Sequence, residues 1–149
     1  MPTASREDPL TGFTFAIEID GISLAYFQEC GGLESENEVV EHKAVDKSGK
    51  EVYIKLPGRL KFGNVSLKRG VTSDLQMWDW RKKVEEGDMK GARKTGSIVL
   101  YNTEFKEVAR FNFENGWPSK ISGSGLKASG NEVAIEEITI VHEGMVRTK

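Results

Sequence analysis

Residues 55–80 read KLPGRLKFGNVSLKRGVTSDLQMWDW, and three elements follow one another within them. Pro57-Gly58 signals a turn, because proline presets φ at one central turn position and glycine tolerates positive φ at the next. Leu60 to Arg69 reads as a strand, with Leu60, Phe62, Val65 and Leu67 apolar and Lys61, Lys68 and Arg69 polar. Its phase slips at Gly63-Asn64, which suits a bulge. Gly70 ends the strand, and Thr72-Ser73 opens the one convincing helix of the chain, over 72–87. Ser73 with Gln76 three residues on fits a capping box, and Gly87 stands where a helix stop belongs.

The helix has two apolar stripes. At about 100° per residue, Met77, Trp80 and Val84 share one face, while Leu75 and Trp78 fall on another. Two stripes on a short helix need two surfaces to pack against. Either the helix is sunk in its own domain, or one stripe meets the chain's own sheet and the other meets a second subunit. The second possibility makes Leu75 and Trp78 candidate interface residues.

At 149 residues the chain is expected to form one domain, 1–149. A domain of this size buries about 70% of its unfolded surface and needs no disulfide or metal staple. Lys+Arg 21 against Asp+Glu 23 gives net −2, so no bulk positive field draws in nucleic acid or anionic lipid. The single Cys30 excludes an intrachain disulfide framework. No apolar run is long enough for a membrane span, and MPTASREDPL lacks the apolar core of a signal peptide.

Residues 1–11 are polar, contain Pro2 and Pro9, and read as a flexible arm. Phe13, Phe15, Ile17 and Ile19 then alternate with Thr14, Ala16, Glu18 and Asp20, the period of a half-buried strand. Asp20-Gly21 is a type I′ hairpin signal and predicts the pairs Ile19–Ile22, Ile17–Leu24 and Phe15–Tyr26. Glu34 to Val45 is extended and mostly polar. Glu34, Glu36 and Glu38 line one of its faces, suited to solvent, a wet channel or a charged contact. Residues 39–56 read as a second hairpin whose tip is Lys47-Ser48-Gly49-Lys50, with Val52, Ile54 and Leu56 as an apolar row. Such an edge can lean out towards another subunit, which singles out Lys47, Gly49, Val52 and Ile54.

Beyond the helix, a basic connection leads to strands at Ser97–Tyr101 and Val108–Phe113, interrupted at Gly116-Trp117-Pro118. Lys120 to Gly130 reads as a Gly/Ser-rich loop. Glu132 to Glu143 reads as a closing strand with a bulge at Glu136-Glu137, where apolar parity switches. Short strands with one helix predict a mainly β fold: an antiparallel two-sheet sandwich or barrel with one flanking α-helix.

Catalytic chemistry builds poorly from these residues. Cys30, His42 and His142 are the nucleophile and imidazole candidates beyond hydroxyls, and nothing in the sequence places them together. No metal-binding spacing is present. Residues 123–128, GSGLKA, match a relaxed dinucleotide fingerprint in letters only, since a strand rather than a helix follows. Arg81-Lys82-Lys83 and Lys90 to Lys94 read as solvated faces, with Glu85, Glu86 and Asp88 between them.

Residues 113–145, FENGWPSKISGSGLKASGNEVAIEEITIVHEGM, add a second signature. Together with DPLTGFTFAIEIDG near the start and KLPGRLKFGNVSLKRG, it resembles the tail tube proteins of T4-like phages. It is similar above all to inner tube proteins of contractile injection systems. The order of motifs runs from Asp8 to Gly144: Leu56-Pro57-Gly58, Lys68-Arg69-Gly70, Trp78-x-Trp80, Trp117-Pro118, Asn131-Glu132-Val133-Ala134 and His142-Glu143-Gly144. The loop after Glu41 is short and lacks a Gly-rich insertion. The resemblance implies hexameric rings, stacked into a hollow tube that is driven into a target and conducts cargo or DNA. It implies the chain itself, a sheath, a baseplate or spike and a terminator as partners, assembly in the bacterial cytoplasm, and neither catalysis nor a cofactor. It also implies kinship in shape with the secreted haemolysin-coregulated ring protein, so a ring-forming carrier that does not stack is the alternative. Stacking would use the arm and the extended hairpin, and a row of Glu34, Glu36 and Glu38 facing inward would make a negative lumen wall.

Overall fold

The computed structural model describes residues 12–19, 22–124 and 134–149. Its strands are β1 (Thr14–Ile19), β2 (Ile22–Phe27), β3 (Glu29–Gly31), β4 (Ser35–Val45), β5 (Glu51–Phe62) and β6 (Val65–Gly70). Two helices follow, α1 (Gln76–Glu85) and the one-turn α2 (Met89–Ala92). The chain closes with β7 (Lys94–Tyr101), β8 (Glu107–Ser124), β9 (Ile135–Val141) and β10 (Gly144–Arg147).

All strand pairs are antiparallel. One layer runs β2-β1-β7-β8, with β10 added on β8, and the other runs β8-β9-β6-β3. The 18-residue β8 belongs to both, because its first half pairs with β7 and its second half with β9. At the far end β2 leads directly into β3, and Gln28 N–H donates to Lys68 O at 2.8 Å. The core lies between the layers. Ile17, Phe27, Ile98 and Phe113 face Val65, Leu67, Ile138 and Ile140, and Met77 and Trp80 of α1 join the same cluster. Each such side chain contributes about 1.5–3 kcal/mol by leaving water.

The first hairpin departs from the expected register. Ile19 pairs with Ile22 as predicted, but Ile17 pairs with Ala25 and Phe15 with Phe27. The register shifts between Ile17 and Ile19, which inserts a residue on β2 and flips everything beyond it. Phe27 therefore enters the core, and Tyr26 is turned outward. Asp20 and Gly21 lie outside the described residues, as do 1–11 and 125–133.

Pro57-Gly58 is not a turn. It lies inside β5, where Val39 faces Pro57 and Asn37 faces Leu60, so β5 carries one extra residue there. A proline is tolerated because, among the described residues, the β4–β5 pair is a sheet of its own, with both outer edges free of ladder bonds. The second hairpin consequently runs from residue 35 to residue 62, longer than the expected 39–56. Nor is Leu60–Arg69 one bulged strand: the chain leaves the hairpin at Phe62 and enters the main sheet at Val65.

Three further expectations give way to the tertiary structure. α1 starts at Gln76 with no side-chain cap at its first position; Asp74 Oδ1 accepts from Gln76 N–H at 3.0 Å in place of the Ser73–Gln76 box. Its end is as expected, with Gly87 at φ +81 and its N–H on Val84 O at 3.0 Å. β8 runs through Gly116-Trp117-Pro118 to Ser124 as one strand, although the expected break survives as an irregularity, with Asn115 at φ +50 and a register shift between Pro118 and Lys120. Beyond Trp117 its ladder among the described residues is with β9 on one side, and Pro118 O accepts from Arg81 Nη1 of α1 at 3.0 Å. Finally, β9 has no bulge at Glu136-Glu137. Its alternation is regular, and Glu136 occupies a core-facing position.

Candidate functional site

The two stripes of α1 have different fates. Met77 and Trp80 are buried, and Trp80 Nε1 donates to Ala92 O at 2.6 Å, tying α1 to α2. Leu75 is 63% exposed and Trp78 is 40% exposed, with Val71 also exposed just ahead of the helix. Trp78 is fixed by its indole N–H, which donates to Glu136. The other carboxylate oxygen of Glu136 takes Arg69 Nε at 2.7 Å. Arg69 and Glu136 are directly opposed on β6 and β9, and both are buried. The Arg69 guanidinium also lies over the Phe27 ring at 5.0 Å and approaches Asp74 at 3.8 Å. This pair was absent from the sequence reading. Its signal was present in parity: Arg69 continues the series Val65, Leu67, and Glu136 precedes Ile138 and Ile140 on the same face.

The β4–β5 hairpin is exposed along nearly its whole length. Val40 opposite Leu56, His42 opposite Ile54 and Ala44 opposite Val52 share one face. That face carries Val40, Ile54 and Leu56 openly to solvent. The opposite face mixes Val39, Tyr53 and Val45 with charges, including an ion pair of Lys43 with Glu51. The tip is ordered by Asp46, whose Oδ1 accepts from Ser48 N–H and Lys50 N–H, each at 2.9 Å. The Ser48 hydroxyl and the Lys50 N–H hold the Asp46 carboxyl below its ordinary range. Lys47 and Gly49 are exposed beside it, Gly49 at φ +79. Glu34, Glu36 and Glu38 lie at the base of the hairpin, all exposed. Glu36 faces Lys61, and Glu38 forms an ion pair with it, so part of this row is neutralised within the chain.

A third surface was not read from the sequence. Tyr26, Tyr101 and Phe105 form a ring cluster with centroids 5.9–6.4 Å apart. Tyr26 and Phe105 are exposed. From the middle of β8, opposite Val99, Arg110 donates to Glu18 at 2.7 Å, towards the Ile19 end of β1, and to Glu107 at 2.5 Å. These bonds raise the Arg110 guanidinium further above its ordinary value and lower the Glu107 carboxyl. Burial, with the Glu18 charge second, raises the Tyr101 hydroxyl. At the other end of these strands Glu18, Ile19, Gly96 and Phe62 line part of an open groove of about 1000 Å³.

The candidate catalytic groups stay apart. Cys30 sits on β3 against the core, and burial pushes its thiol up to about 12. His42 is exposed on β4. His142 packs on Phe62 and Phe113 at ring distances of 5.6 and 6.4 Å, with Nε2 3.0 Å from Gly63 O. It thus links the hairpin root to the core. Among the described residues no group of His, Cys, Asp and Glu is arranged to hold a metal ion, and no helix is long and apolar enough to cross a membrane.

The fold is similar to that of three groups of solved proteins. A chain of the anti-feeding prophage tube-terminating cap superposes with a TM-score of 0.74 at 20% identity, covering 99% of this chain and 96% of that one. A chain of the sheath–tube complex of an extracellular contractile injection system, PVC, in its extended state gives 0.71 at 20% identity, with 95% and 93% covered. Hcp1 from Flavobacterium johnsoniae gives 0.52 at 12% identity, with 91% and 94% covered. No curated protein matches the chain in sequence. The match to the family of the T4-like virus tail tube protein gp19, however, extends over residues 11–146, and the chain belongs to that family.

Proposed function

We propose that this chain is the repeating subunit of the inner tube of a contractile injection system or phage tail, a structural rather than catalytic protein. Hexameric rings of it stack inside a sheath, bounded by a baseplate or spike and a terminator. The tube conducts cargo or DNA, and it is assembled in the bacterial cytoplasm. The single observation that carries this reading is family membership over residues 11–146, which includes both the two-layer body and the unpartnered β4–β5 hairpin.

Leu75 and Trp78 then belong to the contact between neighbours in a ring, and the hairpin, with Lys47, Gly49, Val52 and Ile54, to the contact between rings. Glu34, Glu36 and Glu38, at the hairpin base, border either the lumen or that second contact. Identical subunits joined through non-identical patches form rings where the rotation closes and open stacks where it does not. The test is electron microscopy of purified protein, alone at high concentration and together with its baseplate. Tubes built of stacked rings are expected. Replacing Asp46 to Glu51 with a short Gly-containing turn should leave rings and abolish long tubes. A monomer at all concentrations, or isolated rings that never stack, would overturn the tube assignment.

A further inference from the structure

Phe105 has φ +60, a left-handed conformation that bulky side chains rarely adopt. The turn does not need it. The bonds that hold residues 102–106 use no part of the Phe105 side chain: Asn102 Oδ1 accepts from Glu104 N–H and Lys106 N–H, and Asn102 O from Phe105 N–H, each at 3.0 Å. The core does not need it either, since the ring is 62% exposed. Glycine or asparagine would satisfy the same backbone with less strain. What phenylalanine adds is a third ring beside Tyr26 and Tyr101, 5.9 and 6.0 Å away.

The place of this cluster is informative. Thr14 pairs with Tyr101 at one end of the β1–β7 ladder, and Ile19 pairs with Gly96 at the other. The rings sit at the Tyr101 end. Phe62, the last residue of the hairpin, lines the groove with Ile19 and Gly96 at the opposite end. The two ends are separated by the six residues of β1, about 20 Å of strand. The hairpin therefore leaves the body at one end, and the aromatic cluster caps the other.

We propose that Tyr26, Tyr101 and Phe105 form the seat that receives the β4–β5 hairpin of a second copy of this chain in the next ring. The inference rests on the stacked-tube reading and specifies its receiving surface. Three observations select this occupant. Towards its tip the Val40–Ile54–Leu56 face of the hairpin is apolar apart from His42, and the carboxylates that share this face nearer the root, Glu36 and Glu38, lie against Lys61, so the outer part fits rings rather than charges. At eleven and twelve residues, β4 and β5 reach about 35 Å, enough to cross to a neighbour. Because donor and seat lie at opposite ends of the same strands, the contact repeats head to tail and propagates a stack.

Phe105 replaced by the photoreactive p-benzoylphenylalanine keeps an aromatic ring at the seat. Irradiated assemblies, digested and analysed by mass spectrometry, should yield cross-links from position 105 to residues 40–56 of another copy. Cross-links to residues 1–11, to α1 or to sheath protein, or none between copies, would overturn the proposal. Electron micrographs of the same sample report on the tube reading separately: tubes with cross-links elsewhere sink the seat and leave the tube. A second variant, Phe105→Asn, should unfold at the parent temperature or above and yet form tubes at least tenfold shorter. Tubes of parental length from Phe105→Asn would also overturn the seat.

Discussion

Arg69 and Glu136 face each other across β6 and β9 with Nε and Oε2 2.7 Å apart, at a position where the strand pattern calls for two apolar side chains. The pair is buried, and Glu136 also receives the indole N–H of Trp78. One carboxylate thereby joins both strands to α1.

Removing one partner should cost far more than removing both. Glu136→Ala strands the buried guanidinium and is expected to lose about 3–5 kcal/mol. The double variant Arg69→Met with Glu136→Leu should recover most of that loss. Urea unfolding of the four corners of the cycle provides the measurement. Equal losses in the single and double variants would show that the site cannot repack.

Trp80 and Trp78 should separate fold from assembly. Trp80 is 2% exposed, so Trp80→Ala is expected to destabilise the subunit by about 3–5 kcal/mol. Trp78→Ala should cost about half as much, since the ring is part-exposed and Arg69 still pairs with Glu136. It should instead shift sedimentation from rings to single subunits. Intact rings from Trp78→Ala would assign the outer stripe of α1 to solvent.

Two glycines with similar backbones should respond differently. A Cβ on Gly32 (φ +80) would stand 1.8 Å from Asn64 O, whereas one on Gly49 (φ +79) meets nothing within 4 Å. Gly32→Ala is expected to cost at least about 2 kcal/mol, and Gly49→Ala only the conformational part, about 1 kcal/mol. Denaturant midpoints measured side by side would reveal the difference.

The hairpin tip should loosen in acid. The carboxyl of Asp46 titrates below its ordinary 3.8 because the folded turn donates to it. Its contribution is therefore complete above pH 3.8 and lost as pH falls through the lower folded value. The protection of the Ser48 and Lys50 amides, measured as exchange relative to the intrinsic rate at each pH, should fall over that range, and Asp46→Asn should abolish that fall. Protection at Lys50 that is indifferent to acid would remove Asp46 from the turn.

Local pattern determined a good deal of this protein. Alternation at 13–19 places β1, Gly87 stops α1, and the two stripes of the helix by themselves separate Trp80 from Trp78. The ordered motifs from Leu56-Pro57-Gly58 to His142-Glu143-Gly144 pointed to the tail tube family. These are short-range properties, set by side-chain period and by backbone freedom at glycine and proline. Tertiary structure decided what short range cannot specify. Pro57-Gly58 became a bulge because Val39 lies opposite it in a free-standing ladder. Trp117-Pro118 stayed in β8 because, among the described residues, one side of that half-strand carries no ladder bonds. Glu136 went inward because Arg69, 67 positions away in the chain, meets it there. The exposed surfaces follow the same division: the apolar row of the hairpin was visible in its own residues, whereas the seat of Tyr26, Tyr101 and Phe105 exists only once a register shift in β2 and the turn after β7 bring three distant rings together.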